Sequence, residues 1–313
     1  MLRAAVIGAG MMGRHHVRIL GGMGDVELVG VVDADAEGAR GRMGTVAAPV
    51  VGSISDLPAV DIAVVALPTE AHVDAALELI SRGVHVLVEK PLALTEGEAR
   101  RIVDAARDAG VTLAVGHVER FNPVVRFLRA LPMTPKHVAF ERMSPFTPRI
   151  TSNVISDLMV HDLDLACEFC GGEPVRVEAV ATPVFTEMPD IASALLEFAS
   201  GAIVTLSASR ATQDKVRRIS ISEADRYIVA DCLRQDLQVK RETTVEFADD
   251  EPNLYRQANV VEIPYLDRSG EPLALQMRDF VDAVVEKRQP TVTGEHGLRA
   301  VRLVEAAEKA AGV

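Results

Sequence analysis

Cysteine is scarce in this sequence of 313 residues: Cys167, Cys170 and Cys232 are the three present. An odd and small number excludes a disulfide framework and fits a reducing compartment. Cys167 and Cys170 form a Cys-x-x-Cys, but a redox or zinc role needs a second pair or a thioredoxin-like setting, and the sequence offers neither. Three-residue spacing inside an apolar helix accounts for the pair, and no metal site is expected. Basic runs are also missing. The net charge is −12, from 33 Lys and Arg against 45 Asp and Glu, and no Lys/Arg cluster exceeds a pair or two. That excludes the basic stripe on which nucleic-acid binding rests. Long apolar runs are absent too. Arg3 precedes a short apolar stretch at residues 4–7 and then a glycine cluster, too short for a signal-peptide core, and nothing approaches the length of a membrane span. The expected location is the cytoplasm, with no nucleic-acid or membrane partner.

What remains is the composition of a globular protein, 48% hydrophobic and 25% charged, long enough for two domains at about 150 residues each. Apolar runs at 4–7, 26–32, 62–67, 84–88 and 111–115 read as strands buried on both faces. Between them, 11–20, 70–82 and 95–109 carry helical spacing, with Thr95 and Glu98 placed as a capping box. This alternation predicts a doubly wound parallel α/β domain over residues 1–118. Beyond it, longer alternating strands at 175–184, 192–198, 202–209 and 217–229, with a Ser200-Gly201 hairpin signal, predict a mostly antiparallel sheet. Helical patterns at 155–170, 273–287 and 297–311 make the block 119–313 an α+β domain.

Gly8-Ala9-Gly10-Met11-Met12-Gly13 follows the first strand and opens the first helix. In that context Gly8 permits the tight turn, Gly10 lets the backbone approach a pyrophosphate, and Gly13 allows close helix–strand packing. The backbone of this loop, Met11 and Met12 included, is expected to cradle the phosphates at the helix N-terminus. Asp33 ends the second strand, twenty residues past Gly13, where a carboxylate accepts from ribose hydroxyls and repels a 2′-phosphate. With no Arg at 34–36, NAD is expected over NADP. Asp35 reads as a helix N-cap, and His15 and His16 as structural. Pro68, Thr69 and His72 fall just past a strand end, at the edge where ligands of open α/β sheets bind; read without that context, His72 is a surface helix residue.

Glu89-Lys90-Pro91 lies at the end of the next strand, which aims Lys90 toward the nicotinamide. Asp157 and His161 are four apart in a helical run and so share a face. Oxidising an alcohol requires removal of the hydroxyl proton, which a histidine can accept at neutral pH, while a cation eases the charge developing on oxygen. Lys90 and His161 supply that pair, with Asp157 to orient the imidazole or hold a substrate hydroxyl. Taken singly, these are a solvated lysine, a core histidine and a surface acid; together they point to hydride transfer.

In this order of motifs, from Gly8–Gly13 through Asp33, Glu89-Lys90-Pro91 and Asp157-x-x-x-His161, the chain resembles the Gfo/Idh/MocA oxidoreductases over nearly its whole length. The resemblance implies catalytic roles for Lys90, Asp157 and His161. Segments 116–123, 144–150, 157–164 and 294–307 are most similar to the branch that oxidises the 3-hydroxyl of UDP-N-acetylglucosamine. On that reading Arg120, Asn122 and Arg149 approach the cofactor or the substrate phosphates, a guanidinium clamping phosphate in bidentate fashion; structural salt bridges are the alternative. A free polyol or sugar such as inositol or glucose is the competing substrate, and a non-catalytic NAD-binding sensor is the competing class. The resemblance further implies a homodimer or homotetramer, associated through the open face of the second sheet.

Overall fold

A computed structural model describes residues 1–148, 152–246 and 255–313. The chain divides into two compact units: Met1–Phe121 with Gly270–Glu305, and Asn122–Ser269 with Ala306–Val313.

The first unit is built on six strands, β1 (Leu2–Ile7), β2 (Val26–Val32), β3 (Val50–Val51), β4 (Ile62–Val65), β5 (His85–Val88) and β6 (Leu113–Val115). They are all parallel, in the order β3-β2-β1-β4-β5-β6. Helices α1 (Gly13–Gly21), α2 (Ala36–Arg42), α3 (His72–Ser81) and α4 (Glu96–Ala109) make the crossovers. Every residue of β4 is buried, as a strand covered on both faces demands. The expected caps are present: Asp35 accepts from the Gly38 N–H at the start of α2, and Thr95 and Glu98 close a capping box on α4.

Of two later helices that the sequence reading gave to the block 119–313, α7 (Pro272–Glu286) and α8 (Gly294–Ala311), the first falls wholly in the first unit and the second does so as far as Glu305. Leu273, Met277, Phe280 and Val281 of α7 share one apolar cluster with Val6, Val17, Val64 and Leu87. Leu298 and Val301 of α8 share the opposite cluster with Ile102, Val86 and Val115. Their apolar faces are the physical reason: without them, parts of both faces of the parallel sheet would be left uncovered.

The second unit holds α5 (Pro123–Ala130), α6 (Val160–Cys170) and eight strands: β7 (His137–Met143), β8 (Pro174–Thr182), β9 (Ile191–Phe198), β10 (Ile203–Ser209), β11 (Val216–Ser222), β12 (Tyr227–Asp231), β13 (Asp236–Glu246) and β14 (Tyr255–Glu262). Their order is β14-β13-β12-β11-β7-β10-β9-β8, antiparallel throughout except for the β7–β10 pair. Gly201, at φ +80°, turns the β9–β10 hairpin. The run 217–229 is two strands, because Glu223-Ala224-Asp225-Arg226 reverses the chain with Glu223 N–H donating to the Arg226 carbonyl at 2.9 Å. Val138, Phe140, Val204, Leu206, Ile219 and Ile221 are buried along the sheet, and the Phe140 ring stacks on Phe169 of α6 at a centroid distance of 6.2 Å. All three cysteines are buried thiols; burial pushes that of Cys170 up to about 11, which makes it a packing residue rather than a nucleophile.

One buried ion pair anchors the sheet. Asp190 accepts from Arg210 Nε at 2.7 Å and from the N–H groups of Val184, Phe185 and Thr186, both side chains being almost wholly excluded from water. Burial opposes the charge, but these donors hold the Asp190 carboxyl well below the ordinary aspartate value. Its contribution to stability is therefore complete above the unfolded-state pKa of about 3.9 and is lost as pH falls through the lower folded value. Asp190→Asn is expected to cost about 3–5 kcal/mol in urea unfolding at neutral pH, because it leaves Arg210 buried beside a neutral group. The loss should shrink in acid; a cost under about 1 kcal/mol at neutral pH would contradict this assignment.

Candidate active site

At the carboxyl end of β1 the chain turns through Gly8, which has φ +94°. A Cβ there would lie 2.7 Å from the Ala66 carbonyl oxygen, and one on Gly13 would lie 1.8 Å from the Gly8 carbonyl oxygen. Both glycines are thus fixed by sterics: α1 sits directly on the turn, and the turn sits on the loop after β4. Gly10 differs. A Cβ there meets nothing within 4 Å, so the space its bareness leaves open belongs to whatever approaches from outside. Helix α1 has no side-chain cap and no acidic residue in its first turn, which leaves its N-terminal dipole to an anion. Met11 is exposed, whereas Met12 packs into the core; the part they offer a phosphate is main chain. This bare loop suits a dinucleotide pyrophosphate.

Asp33 stands beside the loop. Its carboxylate accepts from the Ala9 N–H and the Asp35 N–H, each at 2.9 Å. Arg42 Nη2 lies 3.2 Å from the same carboxylate, and Arg42 Nε donates to the Ala9 carbonyl at 2.8 Å. The sequence reading missed Arg42, because it is nine residues beyond Asp33 and only the single helical passage of α2 brings it back.

Pro68 and Thr69 follow β4, next to the glycine loop at the point where the strand order reverses, the place where such sheets bind ligands. His72 is neither on the surface nor turned outward. It is buried, with Nε2 2.9 Å from the Leu67 carbonyl and Nδ1 3.0 Å from the Pro91 carbonyl. Burial outweighs these contacts and holds it below the ordinary histidine value; the neutral ring has one N–H and donates to one of the two carbonyls at a time.

Glu89 follows β5 and turns inward. Its Oε1 lies 2.6 Å from Nε2 of fully buried His16, and a Cβ on Gly116 would come within 2.6 Å of its Oε2. Burial would raise the Glu89 carboxyl; the His16 hydrogen bond and charge, with Lys90 adjacent, bring it below the ordinary glutamate value. Half-buried Lys90 is the next residue, joined to Pro91 by a cis peptide bond. His16, expected to be structural, is therefore a partner of the strand end that carries Lys90, a contact across 73 residues of sequence that periodicity cannot reveal.

In the second unit, residues Ile155–Met159 form a π-turn rather than the start of a regular α-helix. Val160 N–H reaches back to the Ile155 carbonyl before α6 continues. Asn153 caps the turn, accepting from the N–H groups of Ile155 and Ser156. Asp157 lies within the wider turn and His161 one residue into α6, both half-buried; the four-residue spacing expected of one α-helical face is altered by the π-turn between them. Next to His161, Asp162 takes two hydrogen bonds from Arg142 of β7, at 2.7 and 2.9 Å, with both side chains buried. That bidentate clamp fixes the first turn of α6 on the sheet.

The residues assigned to phosphate contact fare differently. Asn122 is the N-cap of α5: its Oδ1 accepts from the Val124 N–H and its amide donates to the Cys232 carbonyl at 2.9 Å. It thus has a capping role, and its approach to the cofactor or the substrate phosphates is a proposal beside it. Arg120 is 1% exposed, and its contact with a phosphate is likewise a proposal. Arg149 lies outside the described residues. Among the described residues no group of three or more His, Cys, Asp or Glu is placed to hold a metal ion, and no helix is long and apolar enough to cross a membrane.

A six-stranded parallel sheet with a bare glycine loop at its switch point, joined to a large mixed sheet, defines a dinucleotide-binding oxidoreductase. Residues 2–117 match the oxidoreductase family with an NAD-binding Rossmann fold, and residues 125–225 the GFO/IDH/MocA C-terminal domain. The chain belongs to the Gfo/Idh/MocA family and is an NAD-dependent oxidoreductase. It is 32% identical to a UDP-N-acetylglucosamine 3-dehydrogenase of Acidithiobacillus ferrooxidans, over 95% of this chain and 93% of that one. It is also 25% identical to an inositol 2-dehydrogenase of Rhizobium meliloti, over 98% and 96% respectively. A solved structure of UDP-N-acetylglucosamine 3-dehydrogenase from A. ferrooxidans superposes with a TM-score of 0.90 at 31% identity, covering 99% of this chain and 97% of the other.

The His16–Glu89 contact generates a stability prediction. His16→Leu leaves a carboxylate buried without its imidazole and should cost about 3–5 kcal/mol in urea unfolding. Adding Glu89→Met should recover at least about 1 kcal/mol of that loss. A single variant within about 1 kcal/mol of the parent would show that the pair does not hold the strand end.

Proposed function

We propose that the chain oxidises the 3-hydroxyl of UDP-N-acetylglucosamine or a closely similar nucleotide sugar to the ketone. The observation that carries this reading is the 32% identity, over 95% of the chain, to a dehydrogenase of that substrate. Lys90, at the end of β5, supports it.

Gly8, Gly10, Met11, Met12 and Gly13 hold the pyrophosphate through main-chain groups, and Asp33 accepts from the adenosine ribose hydroxyls. Pro68, Thr69 and Glu89 border the cofactor, and His72 sets the loops that carry them. Bound NAD supplies the acceptor for the hydride that leaves the sugar carbon. His161 would take the hydroxyl proton as the C–H and O–H bonds of the substrate break to give the ketone, leaving one proton on the imidazole. Lys90 donates to the same oxygen and stabilises its developing negative charge. Asp157 orients the imidazole or receives a neighbouring hydroxyl. The 25% identity to an inositol 2-dehydrogenase favours a polyol as the second reading, with the same residues in the same roles. A homodimer or homotetramer formed on the open face of the second sheet completes the proposal, and light scattering would measure it.

With NAD present, absorbance of the reduced nicotinamide should rise with UDP-N-acetylglucosamine and not with myo-inositol or glucose; reduction with inositol alone would replace the substrate assignment. Lys90→Ala should lower kcat by roughly 10²- to 10⁴-fold while NADH binding, followed by fluorescence, persists. Turnover within about threefold of the parent would remove Lys90 from the chemistry.

A further inference from the structure

Arg42 is held at the cofactor-selecting corner by three separate acceptors. Its Nε donates to the Ala9 carbonyl at 2.8 Å, Nη1 lies 3.2 Å from Asp35 Oδ2, and Nη2 lies 3.2 Å from Asp33 Oδ2. The surroundings preserve this arrangement. Asp35 is pinned by the Gly38 N–H at 3.0 Å. A Cβ on Gly38 would come within 1.9 Å of Asp35 Oδ2 and 2.8 Å of Arg42 Nη1, so a glycine is what lets the Asp35–Arg42 pair form. The guanidinium therefore has two anchors, Ala9 and Asp35, that do not depend on Asp33.

The Asp33 carboxylate in turn occupies a complete anion-binding set: the Ala9 N–H, the Asp35 N–H and Arg42 Nη2. Shortening that one side chain removes the negative charge and leaves two main-chain N–H donors and a fixed guanidinium facing the place it filled. Such a set recognises a phosphate monoester through charge-assisted hydrogen bonds.

We infer that Arg42 is a latent anchor for an adenosine 2′-phosphate, and that NAD selectivity in this chain rests on the Asp33 carboxylate occupying its donors. The inference rests on the proposed contact of Asp33 with the adenosine ribose. The sequence signal looked for, an arginine directly after the acidic residue, is absent; the folded chain supplies the cation from the far end of α2 instead.

The test measures binding rather than turnover. Affinities for NADH, NADPH and adenosine 2′,5′-bisphosphate are determined by fluorescence and calorimetry for the parent, Asp33→Ser, Arg42→Ala and the double variant, each checked for a native melting transition. Asp33→Ser should weaken NADH and raise the affinity for the bisphosphate and NADPH by about ten- to a hundredfold. The double variant should lose most of that gain, whereas Asp33→Ser/Arg42→Lys, which keeps the charge and loses the fork, should retain part of it. If Asp33→Ser leaves NADH affinity unchanged, the ribose contact itself is wrong. If NADH weakens but the 2′-phosphate gain is absent, or survives Arg42→Ala, the ribose contact stands and the role of Arg42 is overturned.

Discussion

A buried hydrogen bond between His16 and Glu89 organises the first unit. It joins α1, the helix that opens from the glycine loop, to Glu89, which follows β5 and precedes Lys90. Neither group is tolerable alone in an interior from which water is excluded. Together they hold the glycine loop, proposed to receive a pyrophosphate, and the segment that carries Lys90 in a set relation. Gly116 is bare so that Glu89 can fit, and His72 ties the loop after β4 to the carbonyl of Pro91. The glycine loop and the segment that carries Lys90 are thus held by buried polar contacts.

The second unit uses the same device on a different scaffold. Arg142, in the centre of the mixed sheet, clamps Asp162 and so fixes the start of α6. The π-turn before it, capped by Asn153, changes the angular step between Asp157 and His161. A π-turn weakens local helical geometry and is retained where a side chain has to be re-aimed. That it contains Asp157 and ends two residues before His161, the two residues proposed to handle the substrate hydroxyl, fits the reading of this segment as functional.

Much of this was legible in the sequence wherever the determining interaction is local. The glycine loop, the Asp35 cap, the Thr95–Glu98 box and the parallel strands all depend on residues a few positions apart, and all are where periodicity and cap chemistry place them. Interactions formed by tertiary packing were not legible. Arg42 returns to Asp33 only through α2, His16 meets Glu89 only when β5 lies beside β4 and β1, and α7 joins the parallel sheet from beyond the whole second unit. Asn122 shows a local signal with two uses: an asparagine before Pro123 is a natural N-cap, and its amide meets Val124 and Cys232. The π-turn was hidden because its apolar spacing is the same as that of the α-helix it interrupts.

Tracing the hydride itself tests the account most directly. UDP-N-acetylglucosamine carrying deuterium at C3 is incubated with NAD and the chain, and both products are analysed by mass spectrometry. The account predicts that the deuterium leaves C3 and appears in the reduced nicotinamide, in one-to-one ratio with ketone. Reduced nicotinamide formed without label, or deuterium retained at C3, would contradict it.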